Sequence, residues 1–382
     1  MDYRIPLFDL HYDQNEWEAL RETLESKWIS MGKKVRLFEE IFCRHLGVPY
    51  GYCLTNCTSA LFLALKILGI GKGDEVLVPS LTFVATVNAI RYVEATPVFV
   101  DILGPHDFSI SPEDLEKKIT PKSRAILVMH YGGYVCPMDE IKKIARDHQL
   151  FIVEDCAHAP QSSYNGAMAG SLGDMGCFSF FSNKNISCGE GGFLSTKNPE
   201  WAEQIRLLRS HGMTTMSYER ARGHATGYDV VALGYNFRLD DIRGALLLSQ
   251  FKKLKKDVEK REHLRKYYIQ GLAEIDEIEI PYQSHPHPSS HYIFPVILKK
   301  GNAQIRQDLR QYLASSGIQT SVHYPAVHRF SIYQSFPANL PQTEYVADCE
   351  ITLPLYYHLK EEEIDYIVEK IKEGLLVITK KS

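Results

Sequence analysis

The sequence predicts an α/β protein with a mainly parallel sheet, followed by a smaller α+β domain, and three observations support this. Short apolar runs, such as 75–78, 97–101 and 125–128, alternate with amphipathic helical stretches. Continuous apolar strands are typical of parallel sheets covered by helices on both faces. After residue 250 the pattern changes to a long charged helix and a Pro/His/Ser-rich loop. We therefore expect a large domain over 1–250 and a small domain over 251–382, with the N-terminal segment packed on the small one.

The individual elements follow from local periodicity and turn signals. Trp17, Leu20 and Leu24 lie on one face of a predicted N-terminal helix. The other predicted helices cover about 58–68, 111–119, 138–147, 251–272, 303–315 and 361–375. The predicted strands cover 75–78, 97–101, 125–128, 151–153, 193–195, 292–298 and 319–323.

Composition excludes several classes of protein. The chain has 382 residues, a formal net charge of -4 and eight cysteines without a CxxC pair. This charge gives no basic surface for nucleic acid, and no apolar run approaches the roughly 20 residues of a membrane span. The first ten residues lack the basic and apolar stretches of a signal peptide. We expect a cytoplasmic protein with reduced thiols, without metal, nucleic acid or membrane partners.

Polar residues follow the predicted strands, where parallel sheets bind their ligands. Asp101, His130 and Asp155 all occupy such strand ends. Asp155 directly follows an apolar run, and a buried carboxylate there needs a partner. A helix N-cap or an exposed loop acid is the alternative for Asp155. His158 either flanks a ligand ring or is an ordinary loop histidine.

Lys184 is the second chemical signal. It follows an aromatic stretch and precedes the glycine-rich turn 189–192. Alone, it also fits a solvated lysine. Together with Asp155 at a neighbouring strand end it fits one cofactor, pyridoxal phosphate (PLP). The lysine would hold the cofactor as a Schiff base, and the aspartate would keep the pyridine nitrogen protonated.

Three further segments supply candidates for the rest of this cofactor. The run Asn56-Cys57-Thr58-Ser59-Ala60 precedes an apolar helix, so it forms either an ordinary N-cap or a phosphate site at the helix dipole. Ser179 is a second candidate for phosphate. Phe83 either stacks on the cofactor ring or joins the core.

Stretches along nearly the whole chain resemble, in order, the sugar aminotransferase family, the DegT–StrS group of PLP enzymes. The stretches are 28–32, 57–61, 73–79, 95–101, 154–159, 178–192, 233–238 and 323–325. The resemblance implies an aspartate-aminotransferase-like fold (fold type I) and a homodimer with active sites at the subunit interface.

The resemblance also implies roles for single residues. Lys184 matches the Schiff-base lysine and Asp155 the partner of the pyridine nitrogen. Phe83 matches the ring-stacking aromatic, and His158 matches a contact on the opposite side. The phosphate-binding positions are Cys57, Thr58 and Ser179, with Asn236 reaching the cofactor of the neighbouring subunit. The looser sugar-nucleotide positions are His323, Tyr324 and His328.

Two positions depart from the family pattern. Cys57 stands where glycine or alanine is common, so its contact would run through its backbone N–H. Asn183 precedes the lysine where threonine is frequent, which leaves the side-chain contact there open.

The implied reaction moves an amino group from L-glutamate to a nucleotide-linked 3- or 4-keto-6-deoxy hexose, for a surface polysaccharide or a secondary metabolite. Relatives that dehydrate sugars carry histidine in place of the lysine, so Lys184 favours amination. Keto-cyclitol amination in aminoglycoside assembly and a non-catalytic regulatory role remain alternatives. The stretches 213–227 and 282–291 would choose the sugar. His285, His287 and His291 lie in a Pro/Ser-rich loop, which favours a solvated loop over a zinc site.

Overall fold

The computed structural model describes residues 3–215 and 227–379, and its core is a seven-stranded sheet. The strands of the described residues are β1 Tyr50–Leu54, β2 Glu75–Pro79, β3 Thr96–Val100, β4 Ile102–Gly104, β5 Asp107–Ile110, β6 Ser123–Met129, β7 Phe151–Asp155, β8 Ser163–Tyr164, β9 Ala167–Met168, β10 Met175–Ser179, β11 Gly192–Thr196, β12 Ile278–Glu279, β13 Phe294–Leu298 and β14 Glu350–Leu353. The sheet order is β1-β11-β10-β7-β6-β2-β3. Strands β10, β7, β6, β2 and β3 are parallel, and β11 runs antiparallel to β1 and β10. The predicted fold class is confirmed.

Helices cover both faces of this sheet. The α-helices in the part of the chain that the structure describes are α1 Gln14–Glu25, α2 Lys33–Leu46, α3 Cys57–Ile67, α4 Val84–Tyr92, α5 Pro112–Lys117, α6 Met138–His148, α7 Pro199–Leu208, α8 Asp241–Leu272, α9 Ala303–Ser315, α10 Pro341–Cys349 and α11 Glu361–Thr379. One apolar core joins the sheet to α3, α4 and α7, and the opposite core joins it to α2, α5, α6 and the first half of α8.

Strand β6 shows why the central strands are apolar throughout. Ala125 and Leu127 belong to the core beside α3, whereas Ile126 and Val128 belong to the core beside α6. Because successive side chains point to opposite faces, a strand covered on both sides needs apolar residues at every position.

The C-terminal region has its own antiparallel sheet, in the order β12-β13-β14. Its core takes in the end of α8 together with α9, α10 and α11. Ile5 is buried in this core and forms a bridge with Ile318. Helix α8 crosses residue 250 and contributes to two cores, through Leu254 at one end and Tyr268 at the other. The boundary near residue 250 stays a prediction.

Two expectations from the sequence differ from the structure. Residues 319–323 do not form the predicted strand, because Ser321 makes a single bridge to Thr352 and the His323 N–H bonds the Glu350 carboxylate. The predicted N-terminal helix is present as α1, but Trp17 on its apolar face is 69% exposed. Helix α1 packs on α8 through polar contacts instead, since Glu16 accepts hydrogen bonds from α8.

Most of the predicted sugar-selecting stretch 213–227 lies outside the described residues. Of the helices within 3–215 and 227–379, none has the length and apolar character needed to cross a bilayer.

Asp241 at the start of α8 anchors the turn before α2. Its carboxylate accepts the backbone N–H groups of Gly32 at 2.9 Å, Lys34 at 3.2 Å and Val35 at 3.0 Å. Asp241 is buried, so these bonds replace water around the charge. The carboxylate therefore caps α2 from a distant part of the chain.

Replacing Asp241 by alanine should lower the free energy of unfolding by about 2–3 kcal/mol, because three backbone donors, two of them buried, lose a charged acceptor. Urea titration followed by circular dichroism measures this change. The matched control is Asp276→Ala at an exposed position, which should change stability by less than about 0.5 kcal/mol. Equal effects for the two variants would contradict the anchoring role.

Candidate active site

A cavity of about 440 Å³ lies beyond the carboxyl ends of β2, β7 and β10. It brings together nine residues that the sequence singles out: Cys57, Thr58, Phe83, Asp155, His158, Ser179, Lys184, His323 and Tyr324. The last two come from the C-terminal region, so the cavity lies between that region and the large sheet. Such a position at the strand ends is where doubly wound sheets hold their ligands.

Asp155 forms the floor of the cavity at the end of β7. Only 3% of it is exposed. Its two oxygens accept hydrogen bonds from Thr86 Oγ1 at 2.7 Å and from the Ala157 N–H at 3.1 Å. Burial raises the pKa of Asp155, and these two bonds and the charge of Lys184 oppose that rise. A cation on a ligand would stabilise the ionised carboxylate further.

Thr86 is a contributor that the sequence analysis missed. It is fully buried in α4, and its hydroxyl lies 2.8 Å from that of Thr82. The sequence offered one signal for Thr86. Thr82 and Thr86 are four residues apart, which is about one helical turn, and both follow the predicted strand 75–78.

Lys184 lies in the loop after β10, where its backbone N–H bonds the Phe181 carbonyl at 2.9 Å. Its Nζ lies 4.1 Å from the centroid of the Tyr292 ring. Tyr292, just before β13, is a second residue that the sequence analysis missed, because a lone aromatic carries no distinctive pattern. The amine is therefore held against an aromatic face in the same cavity as Asp155.

The N-terminus of α3 forms another side of the cavity. Asn56 caps the helix by accepting the Ser59 N–H at 2.9 Å. Gly192 begins β11 directly against this turn, and a Cβ on Gly192 would lie 2.3 Å from the Asn56 backbone. In the ladder between β10 and β11, Gly192 pairs with Ser179. Helix N–H groups, the helix dipole and a hydroxyl together suit an anion such as a phosphate.

His158 is a buried, neutral imidazole in the wall of the cavity. Its Nδ1 accepts the Gly132 N–H at 3.1 Å, so its proton resides on Nε2, which donates to Tyr324 Oη at 2.9 Å. Burial and the nearby charge of Lys184 hold the pKa of His158 well below its ordinary value. Phe83 lines the cavity and is 54% exposed, with its ring centroid 5.8 Å from that of Tyr324.

Two predicted site residues lie outside this cavity. Asn236 forms a bridge with Ser210. His328 has both ring nitrogens engaged, Nδ1 with Ser80 Oγ at 2.8 Å and Nε2 with Glu344 at 3.2 Å.

The histidines of the 281–291 loop do not gather around one point. The rings of His285 and His287 are 5.7 Å apart, while His291 contacts Tyr134. Within the described ranges, the cluster with metal-ligand spacing is that of His130, Glu154 and Cys156. There Glu154 already accepts hydrogen bonds from three backbone N–H groups and from His130 Nε2–H. These bonds compensate its negative charge without an ion.

Residues 11–372 match the DegT/DnrJ/EryC1/StrS aminotransferase family. The chain belongs to this family. The spore coat polysaccharide biosynthesis protein SpsC of Bacillus subtilis is 35% identical over 98% of this chain and 96% of its own. Helicobacter pylori PseC, an aminotransferase involved in the biosynthesis of pseudoaminic acid, is 28% identical with a TM-score of 0.90, covering 98% of this chain and 99% of PseC. Spr1654 from Streptococcus pneumoniae, solved in PMP and PLP forms, is 29% identical, with TM-scores of 0.90 and 0.89 and coverage of 98% of both chains.

This chain is thus a PLP-dependent sugar aminotransferase. The residues of the cavity fit the cofactor. A pyridinium would give buried Asp155 a cationic partner, the N-terminus of α3 and Ser179 suit the phosphate, and Lys184 supplies the amine.

Gly192→Ala should weaken PLP binding at least tenfold, because the new Cβ would displace the turn at Asn56 and with it the anion site. Titration of the apoenzyme with PLP, followed by absorbance, measures the dissociation constant. Gly71→Ala is the matched control, since its Cβ would meet only the Val93 carbonyl oxygen at 3.7 Å. Equal affinities in the wild type and Gly192→Ala would contradict this anion site.

Proposed function

We propose that the enzyme transfers an amino group from L-glutamate to a nucleotide-linked 3- or 4-keto-6-deoxy hexose. The observation that carries this is the shared cavity of Lys184 and Asp155, with polar groups of His323 and Tyr324 facing the same space. A keto-sugar offers a carbonyl to aminate and hydroxyls for these polar groups. The name of SpsC favours surface polysaccharide over a secondary metabolite as the destination of the product.

Each residue has a proposed role. Lys184 would hold the cofactor through its amine, and the freed amine would move a proton at the substrate carbon. Asp155 would keep the ring nitrogen cationic, and Phe83 and His158 would contact the ring. Bound PLP supplies the electron sink that allows the substrate carbon to lose its proton. Phosphate contacts come from Cys57 and Thr58 through the N-terminus of α3 and from Ser179.

A second copy of the chain completes the site in this proposal. Asn236 lies outside its own cavity, and an exposed apolar strip precedes it, with Val230 54%, Val231 55% and Leu233 88% exposed. Exposed apolar strips of this kind mark protein interfaces. We propose that a homodimer covers this strip and directs Asn236 to the partner's cofactor phosphate. Both reactants would then enter a site shared by two subunits.

We assign the reaction to the cytoplasm, because all eight cysteines are free thiols. Free thiols persist in reducing compartments.

Lys184→Ala should abolish both amination and the covalent cofactor adduct that borohydride leaves in the wild type. Mass spectrometry of the reduced protein and of a panel of keto-sugar nucleotides incubated with glutamate measures the two losses. Lys72→Ala, at an exposed turn, is the control and should retain both. A Lys184→Ala enzyme that still forms the adduct and transaminates would overturn the assignment.

The shared site can be tested by combining two impaired variants in one dimer. Lys184→Ala and Asn236→Ala homodimers should each be impaired, whereas their co-expressed mixture should regain roughly a quarter of wild-type activity. The reason is statistical, since half of the dimers are mixed and one of their two sites has both native residues. A mixture no more active than its parents would show that each subunit works alone.

A further inference from the structure

A buried carboxyl group that the proposed reaction does not use lies on β14. Glu350 has 0% of its surface exposed. Its Oε2 accepts the backbone N–H of His323 at 2.9 Å, and its Oε1 is hydrogen-bonded to the hydroxyl of Thr352. The charged guanidinium groups of Arg306 and Arg310 act on it from α9. Glu350 is therefore bonded directly to the backbone of His323, in the wall of the active site, and to Thr352 on its own strand.

Thr352 links this carboxyl group to the His323 ring. Thr352 Oγ1 lies 2.9 Å from His323 Nδ1, so Glu350, Thr352 and His323 form a continuous hydrogen-bonded chain. The threonine hydroxyl has a single proton, which can be directed to only one of its two neighbours. The direction of the threonine proton decides whether Nδ1 or Nε2 of His323 carries the imidazole proton.

An ionised Glu350 can only accept hydrogen bonds. Thr352 must then donate to Glu350 and accept from His323 Nδ1–H, which leaves His323 Nε2 as an acceptor. A protonated Glu350 reverses both bonds. Because Oε2 already accepts the His323 backbone N–H, the carboxyl proton is on Oε1 and donates to Thr352, which donates to Nδ1. His323 Nε2 then carries the proton.

The outer nitrogen of His323 is available to a ligand. His323 lines the same cavity as Lys184, and within residues 3–215 and 227–379 no hydrogen-bond partner of Nε2 is present. Burial, with a contribution from Lys184, lowers the pKa of His323 to about 3, so the ring is neutral and has one N–H. The single proton makes Nε2 either a donor or an acceptor.

We propose that Glu350, acting through Thr352, is a positioning residue that sets whether His323 offers a hydrogen-bond donor or an acceptor to the hydroxyl next to the reacting carbonyl. The substrate part of this inference rests on the proposed function, since it requires a hydroxylated keto-sugar in the cavity. The tautomer part concerns the protein alone.

Burial raises the pKa of Glu350 to about 8, against the opposing effects of Thr352, the His323 N–H, Arg306 and Arg310. The phenols of Tyr131 and Tyr324 also face it, and burial keeps both protonated by raising their pKa well above the ordinary value. The charge that varies near pH 8 is therefore that of Glu350. His323 Nε2 is a donor below this pH and an acceptor above it.

The tautomer can be read directly by NMR of protein labelled with ¹⁵N-histidine, with His323→Asn used to assign the signal. At about pH 6.5 the proton should reside on Nε2, and at about pH 9.5 on Nδ1. Thr352→Ser should preserve the switch, and Thr352→Val should abolish it. Glu350→Gln should hold the proton on Nε2 at both pH values, because its amide donates to Thr352 as the protonated acid does.

Thr343→Val is the matched control, a buried threonine whose hydroxyl has no hydrogen-bond partner in the described ranges. It should leave the switch intact. One tautomer at both pH values in the wild type, or a switch that survives Thr352→Val, would overturn the inference. Circular dichroism identifies unfolded variants, and Thr352→Ser and Glu350→Gln keep the shape of the site if Thr352→Val fails to fold.

The substrate part has its own readout, the ratio of kcat/KM for a keto-sugar nucleotide to that for its O-methyl analogue. The methyl ether accepts a hydrogen bond but cannot donate one. The ratio should rise roughly tenfold from below to above pH 8 in the wild type and stay flat in Thr352→Val and Glu350→Gln. A flat wild-type ratio would overturn the substrate part. Failure to aminate either sugar would instead count against the proposed function, and the NMR result would stand apart from it.

Discussion

The buried carboxylate of Asp155 is the constraint around which the site is built. A charge with 3% exposure requires compensation, and the protein supplies two hydrogen bonds and the charge of Lys184. A pyridinium would complete the set. At the start of α3, where helix N–H groups suit an anion, β11 approaches so closely that position 192 must be glycine. The chemistry of these two ends suits a ligand with a cationic ring nitrogen and a phosphate.

The C-terminal region closes the site with aromatic and imidazole side chains. Tyr292 covers the amine of Lys184, and Tyr324 bonds His158 from the large sheet. The imidazoles of His158 and His323 are both neutral, yet different groups determine their tautomers. The tautomer of His158 is set by a backbone N–H, which cannot change. That of His323 is set by a carboxyl group that can titrate.

The sequence predicted the parts of the molecule that depend on local pattern. Strand β6 is apolar at every inner position because both of its faces are buried, and that run predicts a parallel strand. Asp155 and Lys184 stood out because a strand end and a glycine-rich turn flank them. The contacts of Thr86 and Glu350 depend on residues far away in the chain. No local pattern shows that Thr86 meets Asp155 or that Glu350 meets His323.

The same reason explains the failures. Residues 319–323 have a strand-like composition, but the carboxyl group of Glu350 accepts the His323 N–H that a ladder would need. Trp17 has helical spacing with Leu24, yet α1 docks through Glu16, so its apolar face points outwards. Local propensity and spacing led to both expectations, and tertiary contacts overrode them.

We propose that Asp155 keeps the pyridine nitrogen of the bound cofactor protonated. The ¹⁵N chemical shift of the ring nitrogen, recorded with labelled PLP on the holoenzyme, tests it most directly. A protonated nitrogen in the wild type and an unprotonated one in Asp155→Ala is the expected result. An unprotonated nitrogen in the wild type, or a protonated one that persists in Asp155→Ala, would contradict the account.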